Sequence, residues 1–240
     1  MPKPRLIGTL SEKSLHAALK AYLSQPGDLL ESTLDGYVID LLRGEQIIEV
    51  QTGNFSAMKR KLGKLLGAGH AVRVVHPLAV GKWIVRQSES GELIGRRKSP
   101  KQRQPVEVFR QLVYIPHILP HPHFTLEILF THQEEIWRDD GHGSWRRKGW
   151  SLYDHRLLEV VGNLTLATPE EFLALLPDNL PDPFTNRQLA TALNISPGLA
   201  GKMTYTLRGA GWLAEVGKKG KANLFSTPPH LSTTLDINHV

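Results

Sequence analysis

The chain has 240 residues, of which 40% are hydrophobic and 22% charged, and it contains no cysteine. This composition predicts one large or two modest globular domains, and it excludes disulfides, thiolate metal sites and cysteine nucleophiles. No stretch approaches the roughly 18 uninterrupted apolar residues of a membrane helix, and the start shows no apolar signal segment. We therefore expect a cytoplasmic protein with no membrane partner.

The net charge is +6, and the cations cluster in the runs RKSPKQR, WRRKGW and GKKGK. Clustered cations attract polyanions, and nucleic acid is the first polyanion to consider. Each run by itself is equally consistent with a solvated basic loop.

The first part of the chain predicts helices alternating with strands. Apolar spacing predicts a helix over 11–23, three antiparallel strands within 28–52, and a basic-faced helix over 55–66. Two further strands are predicted at 71–80 and 82–87. The element order is αβββαβ plus one strand.

No firm structure is predicted for 106–166, but the C-terminal part is clearer. Capping boxes begin helices at Thr168 and Thr185, a third helix begins at Ser196-Pro197, and two β-rich runs flank the tip GKKGK. Three short helices before a basic hairpin resemble a winged helix-turn-helix. The predicted divisions are a first domain, a connecting region, the winged domain and a tail: 1–120, 121–166, 167–228 and 229–240.

The hairpin YVIDLLRGEQIIEVQ contains the acidic residues best placed to bind a metal ion. A two-residue loop at Gly44-Glu45 would set Asp40 opposite Glu49. Two carboxylates so placed lie roughly 5 Å apart at Cβ, and they repel each other unless a cation lies between them. The alternate positions are apolar and are predicted to face a core: Ile39, Leu41, Ile48 and Val50.

On the first helix, Glu12 falls within the apolar stripe, so its side chain is predicted to face the sheet. A helix acid, then Asp40, then the tripeptide Glu49-Val50-Gln51 and a basic helix resemble the PD-(D/E)xK nuclease superfamily, over roughly residues 10 to 80. The resemblance implies an α/β fold class, with an αβββαβ restriction-endonuclease-like core followed by a mainly helical winged-helix domain.

The same resemblance assigns roles. Asp40 and Glu49 would hold Mg²⁺ or Mn²⁺, Gln51 would stand where the family has a water-activating lysine, and Glu12 would be a supporting acid. Gln51 cannot supply a positive charge. Some members of the superfamily tolerate such a replacement, and others recruit a lysine from the following helix, for which Lys61 and Lys59 are the candidates here.

The alternative to metal binding is a purely structural role for these acids. Asp40 and Glu49 could be ion-paired with cations of the second helix, and Glu12 could be a first-turn acid favoured by the helix dipole.

The third C-terminal helix and the hairpin after it suggest contacts with DNA. Side chains on the helix face opposite the apolar stripe would contact phosphates or base edges. Side chains at the hairpin tip would contact the DNA backbone. The predicted contacts are Lys202, Tyr205, Arg208, Lys218, Lys219 and Lys221. A winged domain used for protein contact or dimerisation is the alternative.

Together these features predict a Mg²⁺-dependent DNA endonuclease that docks on DNA through its C-terminal domain. The alternative is a non-catalytic DNA-binding or regulatory protein on a degenerate nuclease-like scaffold, which Gln51 favours. The basic patches also fit RNA as the substrate. Cleavage of both strands of a duplex would favour a homodimer by symmetry.

Overall fold

The computed structural model describes residues 13–143, 145–147 and 149–232. They belong to two compact units, and each unit draws on three separate ranges of the chain. The first unit takes the chain up to Gly53, Val74–Gln104 and Glu127–Leu164, and the second takes Asn54–Arg73, Pro105–Leu126 and the chain from Thr165 onward.

A seven-stranded mixed sheet organises the first unit, together with helix α1 (Lys13–Leu23). Its strand order is β1-β2-β3-β4-β6-β7, and β5 pairs with β4. The strands are β1 (Leu29–Leu34), β2 (Tyr37–Arg43), β3 (Gln46–Val50), β4 (Ala71–Gln87), β5 (Leu93–Lys98), β6 (Phe124–Asp139) and β7 (Trp150–Leu166).

Two tight hairpins join the first three strands, as the sequence predicts. Asp35 and Gly36 both have positive φ, at 49° and 78°, which is the conformation that an Asp-Gly hairpin turn requires. In the second hairpin Gly44 has φ 56°, and Leu41 pairs with Ile48 across the antiparallel ladder. The predicted register of β2 and β3 is confirmed.

Helix α1 supplies one side of the first unit's core. The apolar spacing of this helix predicts that Leu15, Leu19, Tyr22 and Leu23 face the core. The three leucines are buried, but Tyr22 is 57% exposed and does not belong to the buried face. The three leucines cluster with apolar residues of the sheet: Leu41, Ile48, Val50, Val75 and Leu129.

Strand β4 is continuous where the sequence predicts two shorter strands. It runs for 17 residues through Gly81, the position at which the prediction breaks it. A Cβ atom at Gly81 would come within 2.4 Å of the His132 ring on β6. The glycine therefore makes room for a ring on a neighbouring strand and does not mark a turn.

The second unit contains short helices and a two-stranded antiparallel sheet. The capping boxes at Thr168 and Thr185 and the Ser196 cap are confirmed. The helices are α2 (Lys59–Gly67), α3 (Phe109–Leu112), α4 (Pro169–Leu173), α5 (Asn186–Ala192), α6 (Pro197–Gly209) and α7 (Pro229–Ser232); the strands are β8 (Ala214–Lys219) and β9 (Ala222–Ser226). Single 3-10 turns lie at Phe55–Met58, Pro105–Val108 and Trp145–Arg147.

The fold class predicted from the sequence is wrong. The structure is a mixed sheet of seven strands with 40% strand and 28% helix, which is more than an αβββαβ restriction-endonuclease-like core. The C-terminal region carries strands β8 and β9 and shares a unit with 54–73 and 105–126, so it is not a mainly helical winged-helix domain.

Much of the difference comes from residues 121–166, for which the sequence predicts no firm structure. They hold β6 and β7, of 16 and 17 residues, whose charged and aromatic side chains obscure the strand pattern. In the part of the chain that the structure describes, no helix combines the length and hydropathy needed to cross a membrane.

Gly209, at the end of α6, provides a test of packing in the second unit. A Cβ there would lie 2.7 Å from Cβ of Pro116, a ring that cannot rotate away. We expect Gly209→Ala to lower the free energy of unfolding by about 1–3 kcal/mol because of this overlap. Urea denaturation followed by circular dichroism measures the change.

Gly201 of the same helix is the matched control, since its Cβ would meet nothing closer than Asn186 Nδ2 at 3.9 Å. We expect Gly201→Ala to stabilise the protein by about 0.5–1 kcal/mol, as alanine does inside helices. Equal effects of the two substitutions would contradict the packing of α6 on Pro116.

Candidate functional site

The site is built on the facing strands β2 and β3. The ladder ends at the pair of Leu41 with Ile48, and Asp40 and Glu49 are the residues next to this pair, one on each strand. Asp40 is half-buried, with a side chain that is 18% exposed, and Glu49 is buried. The two acids therefore lie next to the same end of the β2–β3 ladder.

Asp40 is held by two donors through a single oxygen. Its Oδ2 lies 3.2 Å from Nε2 of His16 on α1 and accepts the backbone N–H of Val50 at 2.8 Å. Its Oδ1 accepts no hydrogen bond from the described residues and is left for another ligand.

Both members of the His16–Asp40 pair have shifted pKa values. Burial of Asp40 raises the pKa of its carboxyl, but the hydrogen bonds from His16 and Val50 outweigh burial and hold that pKa below its ordinary value. The hydrogen bond to Asp40 raises the pKa of the His16 imidazole, against the opposing effect of its own burial. Asp40 is therefore ionised at neutral pH.

A third acid, Glu31, lies beside Asp40 on strand β1. The β1–β2 register pairs Leu30 with Leu41 and Ser32 with Ile39, which sets Glu31 across from Asp40. Glu31 has a positive φ of 49°, and its carboxylate accepts a hydrogen bond from Lys20 Nζ at 2.5 Å. This bond lowers the pKa of Glu31.

Sequence reasoning missed the Lys20–Glu31 pair. The available signal was the spacing of His16 and Lys20, which are one helical turn apart and so lie on the same side of α1. Each of the two side chains contacts an acid of the sheet.

Gln51 follows the end of β3, and both of its backbone groups are fixed. Its N–H donates to Val75 O at 2.9 Å, and its carbonyl oxygen accepts from Nδ1 of His76 at 2.6 Å. Burial lowers the pKa of His76 to about 4, so this ring is neutral at physiological pH.

Two of the predicted catalytic residues are not part of the described first unit. Glu12 lies outside the described residues. Lys61, on α2, belongs to the second unit, whereas Asp40, Glu49 and Gln51 belong to the first.

The acids fit a hard divalent cation better than a transition metal. Mg²⁺ takes oxygen ligands and is commonly held by one or two carboxylates together with water and substrate phosphate. Asp40 and Glu49 supply that number of carboxylates, and one oxygen of Asp40 is not used by a described donor. Among the described residues, no group of three or more His, Cys, Asp or Glu side chains is arranged to hold a metal ion.

The predicted DNA contacts lie on α6 and on the β8–β9 hairpin. Tyr205 is 57% exposed, and the hairpin lysines are exposed too. Arg208 instead pairs with Glu215 of β8 at 3.1 Å and lies over the Phe225 ring at 5.8 Å, so its charge is partly neutralised. Lys202 is half-buried. The predicted face of α6 is therefore polar and exposed, but its arginine is already paired.

Comparison with known proteins gives a family and a relative. The model of a family described as a domain of unknown function, DUF8091, matches residues 13–167. A protein of Treponema pallidum (strain Nichols), described as an uncharacterized protein, is 32% identical over 227 residues, which cover 93% of this chain and 88% of that protein. No solved structure matches the chain.

The His16–Asp40 contact predicts a change in an NMR titration. We expect Asp40→Asn to lower the pKa of His16, because the neutral amide removes the charge that favours the imidazolium. The His16 contribution to stability is present below the unfolded pKa near 6.5, and it is lost as the pH rises through the raised folded pKa. The imidazole Hε1 signals of both proteins, followed across pH, measure the shift.

His155 is the internal reference in the same spectra. Burial lowers the pKa of its imidazole, and the nearby charges that affect it do not include Asp40. A His16 pKa that stays unchanged in Asp40→Asn, or a His155 pKa that moves equally, would contradict the contact.

Proposed function

The chain belongs to the DUF8091 family, and from the geometry of its site we propose that it is a divalent-metal-dependent phosphodiesterase that cleaves DNA. The observation that supports the proposal is that Asp40 and Glu49 are the residues next to the last β2–β3 pair, Leu41 and Ile48, one on each strand. The resemblance of Asp40 and Glu49-Val50-Gln51 to the PD-(D/E)xK pattern supports the same chemistry.

In this proposal Asp40 and Glu49 hold Mg²⁺ or Mn²⁺. The cation supplies positive charge to the phosphate and lowers the pKa of a water. His16 and the Val50 N–H both bind Oδ2 of Asp40, so they fix the carboxylate in one orientation and leave Oδ1 available. Gln51 is neutral, so its side chain can orient a water but cannot offset charge that develops on phosphorus.

DNA would be held partly by the second unit. Tyr205 and the lysines of the hairpin tip are exposed and could contact phosphates without breaking any described ion pair. Arg208 would first have to leave Glu215. A cytoplasmic location, and a homodimer if both strands are cut, complete the proposal.

Conservative substitution of the paired acids tests the activity directly. In the presence of Mg²⁺ we expect wild type to cut labelled DNA, and we expect Asp40→Asn and Glu49→Gln each to lower the cleavage rate about 100-fold or more. Each loses a charged cation ligand, worth several kcal/mol of transition-state stabilisation. Duplex, single-stranded and branched substrates are compared at matched salt.

Glu45→Gln is the matched control, since Glu45 is an exposed carboxylate in the loop of the same hairpin. It should retain the wild-type rate. Wild type that leaves all three DNA forms intact with Mg²⁺ and Mn²⁺, or an Asp40→Asn variant that cuts normally, would overturn the proposal.

Gln51 favours a second candidate function, a non-catalytic DNA-binding protein. A neutral side chain at this position cannot take a proton from water at neutral pH. In that case the acids need not bind a cation, and the exposed cations alone would account for nucleic-acid binding.

Thermal unfolding in the presence of Mg²⁺ separates the two candidates. At about 100 times its Kd, a bound cation adds about 2.7 kcal/mol, which corresponds to a rise in Tm of roughly 5–10 °C for a chain of this size. We expect this rise in wild type and in Glu45→Gln, but not in Asp40→Asn. No rise in wild type would favour the non-catalytic protein.

A further inference from the structure

Cations and aromatic rings are concentrated in the first unit, away from the paired acids in sequence. Arginine and lysine side chains of β4, β5, β6 and the segment before β7 lie over aromatic rings within cation–π distance. The pairs are Arg96 and Lys98 over Trp83 (5.1 and 5.5 Å), Arg86 over Trp150 (5.0 Å), Arg138 over Tyr153 (3.3 Å) and Arg147 over Trp137 (4.8 Å). We call these residues the arginine–aromatic surface.

Strand pairing brings these residues to one end of the sheet. The β4–β5 register pairs Trp83 directly with Lys98, and because side chains alternate along a strand, Trp83 and Lys98 lie on one face of this end and Arg86 on the other. Arg138 Nε donates to Gln87 Oε1 at 3.4 Å, which joins the end of β6 to the end of β4. The last residues of β4 and β6 therefore meet the first residues of β7.

Stacking prepares an arginine to bind phosphate. A guanidinium that lies flat on a ring keeps its N–H groups at the edge of the plane, where they can reach anionic oxygens. The ring also restricts the rotamers of the side chain, so less entropy is lost on binding. Arg96 also donates to Glu134 at 2.7 Å, and the other stacked cations have no described ion pair.

Two exposed residues extend this surface. Trp145 is 83% exposed, the most exposed of the large hydrophobic side chains that the structure describes. Arg97 is exposed on the face that carries Arg86, opposite Arg96, and has no ion-pair partner among the described residues. Residues 93–103 carry five cations and no acid. A polyanion that also carries flat apolar groups would pair with these cations and stack on the exposed ring of Trp145.

We propose that the arginine–aromatic surface, extended by Trp145 and Arg97, binds single-stranded nucleic acid. Phosphates would contact the cations, and unpaired bases would stack on Trp145. A duplex keeps its bases stacked inside and offers only its phosphates to such rings. The inference adds a substrate class to the proposed function. It rests on that function only where it takes the bound strand to be the strand that is cut.

Binding in EDTA tests the surface without cleavage. Fluorescence anisotropy compares a labelled oligothymidylate, the matching oligouridylate and a DNA duplex of the same length. We expect single strands to bind more tightly than the duplex. Trp145→Ala should weaken single-strand binding about tenfold and leave duplex binding unchanged, since one base–ring stack is lost. If Trp145→Ala weakens binding of the oligothymidylate or of the oligouridylate, the result supports the inference and identifies that strand as the ligand.

Arg97→Ala should weaken binding of all three nucleic acids and reduce the salt dependence of binding by just under one unit of slope, as one phosphate contact is removed. Tyr22→Ala, an exposed aromatic on α1, and Arg187→Ala, an exposed arginine on α5, are the matched controls and should bind as wild type does.

Duplex binding as tight as single-strand binding, or a Trp145→Ala variant that loses both equally or neither, overturns the inference. If the protein prefers single strands in EDTA but cuts nothing with Mg²⁺, the result contradicts the proposed phosphodiesterase activity. It still supports nucleic-acid binding by the arginine–aromatic surface. Cleavage without any preference for single strands overturns the surface alone.

Discussion

The turn at Gly44-Glu45 fixes which residues of β2 and β3 oppose each other, and the candidate site depends on that register. With Leu41 opposite Ile48, these two residues pack with the leucines of α1, and the neighbouring Asp40 contacts His16 of the same helix. Because side chains alternate along a strand, a slip of one residue would turn Leu41 and Ile48 out of the core.

Helix α1 links this hairpin to the rest of the first unit. One side of the helix packs its leucines on the sheet, and the adjacent side carries His16 and Lys20, which contact Asp40 and Glu31. The same packing that buries apolar surface thus sets the distance between the cations and the acids. Displacement of the helix would therefore loosen the core and at the same time break the contact between His16 and Asp40.

Local patterns in the sequence predict local structure well. The two hairpin turns, the β2–β3 register and the caps at Thr168, Thr185 and Ser196 all follow from residues within a few positions of each other. The sequence also predicts that Asp40 and Glu49 face each other, because one hairpin contains both.

Contacts between distant residues could not be predicted in the same way. Gly81 lies within the single strand β4 and leaves space for His132, a residue of β6 that is distant in sequence. The Lys20–Glu31 pair depends on how α1 lies over β1, and Arg208 is neutralised by a residue on the next strand. The fold class failed for the same reason, since pairing of β6 and β7 with the sheet depends on long-range contacts.

The division of each unit among three ranges of the chain has a consequence for synthesis. Residues 54–73 leave the ribosome well before the chain from Thr165 onward, which completes their unit. During that interval Leu62, Leu65 and Leu66, buried in the finished protein, lack part of their unit and are available to other apolar surfaces. A nascent chain paused before residue 165 would therefore be a natural client for a chaperone.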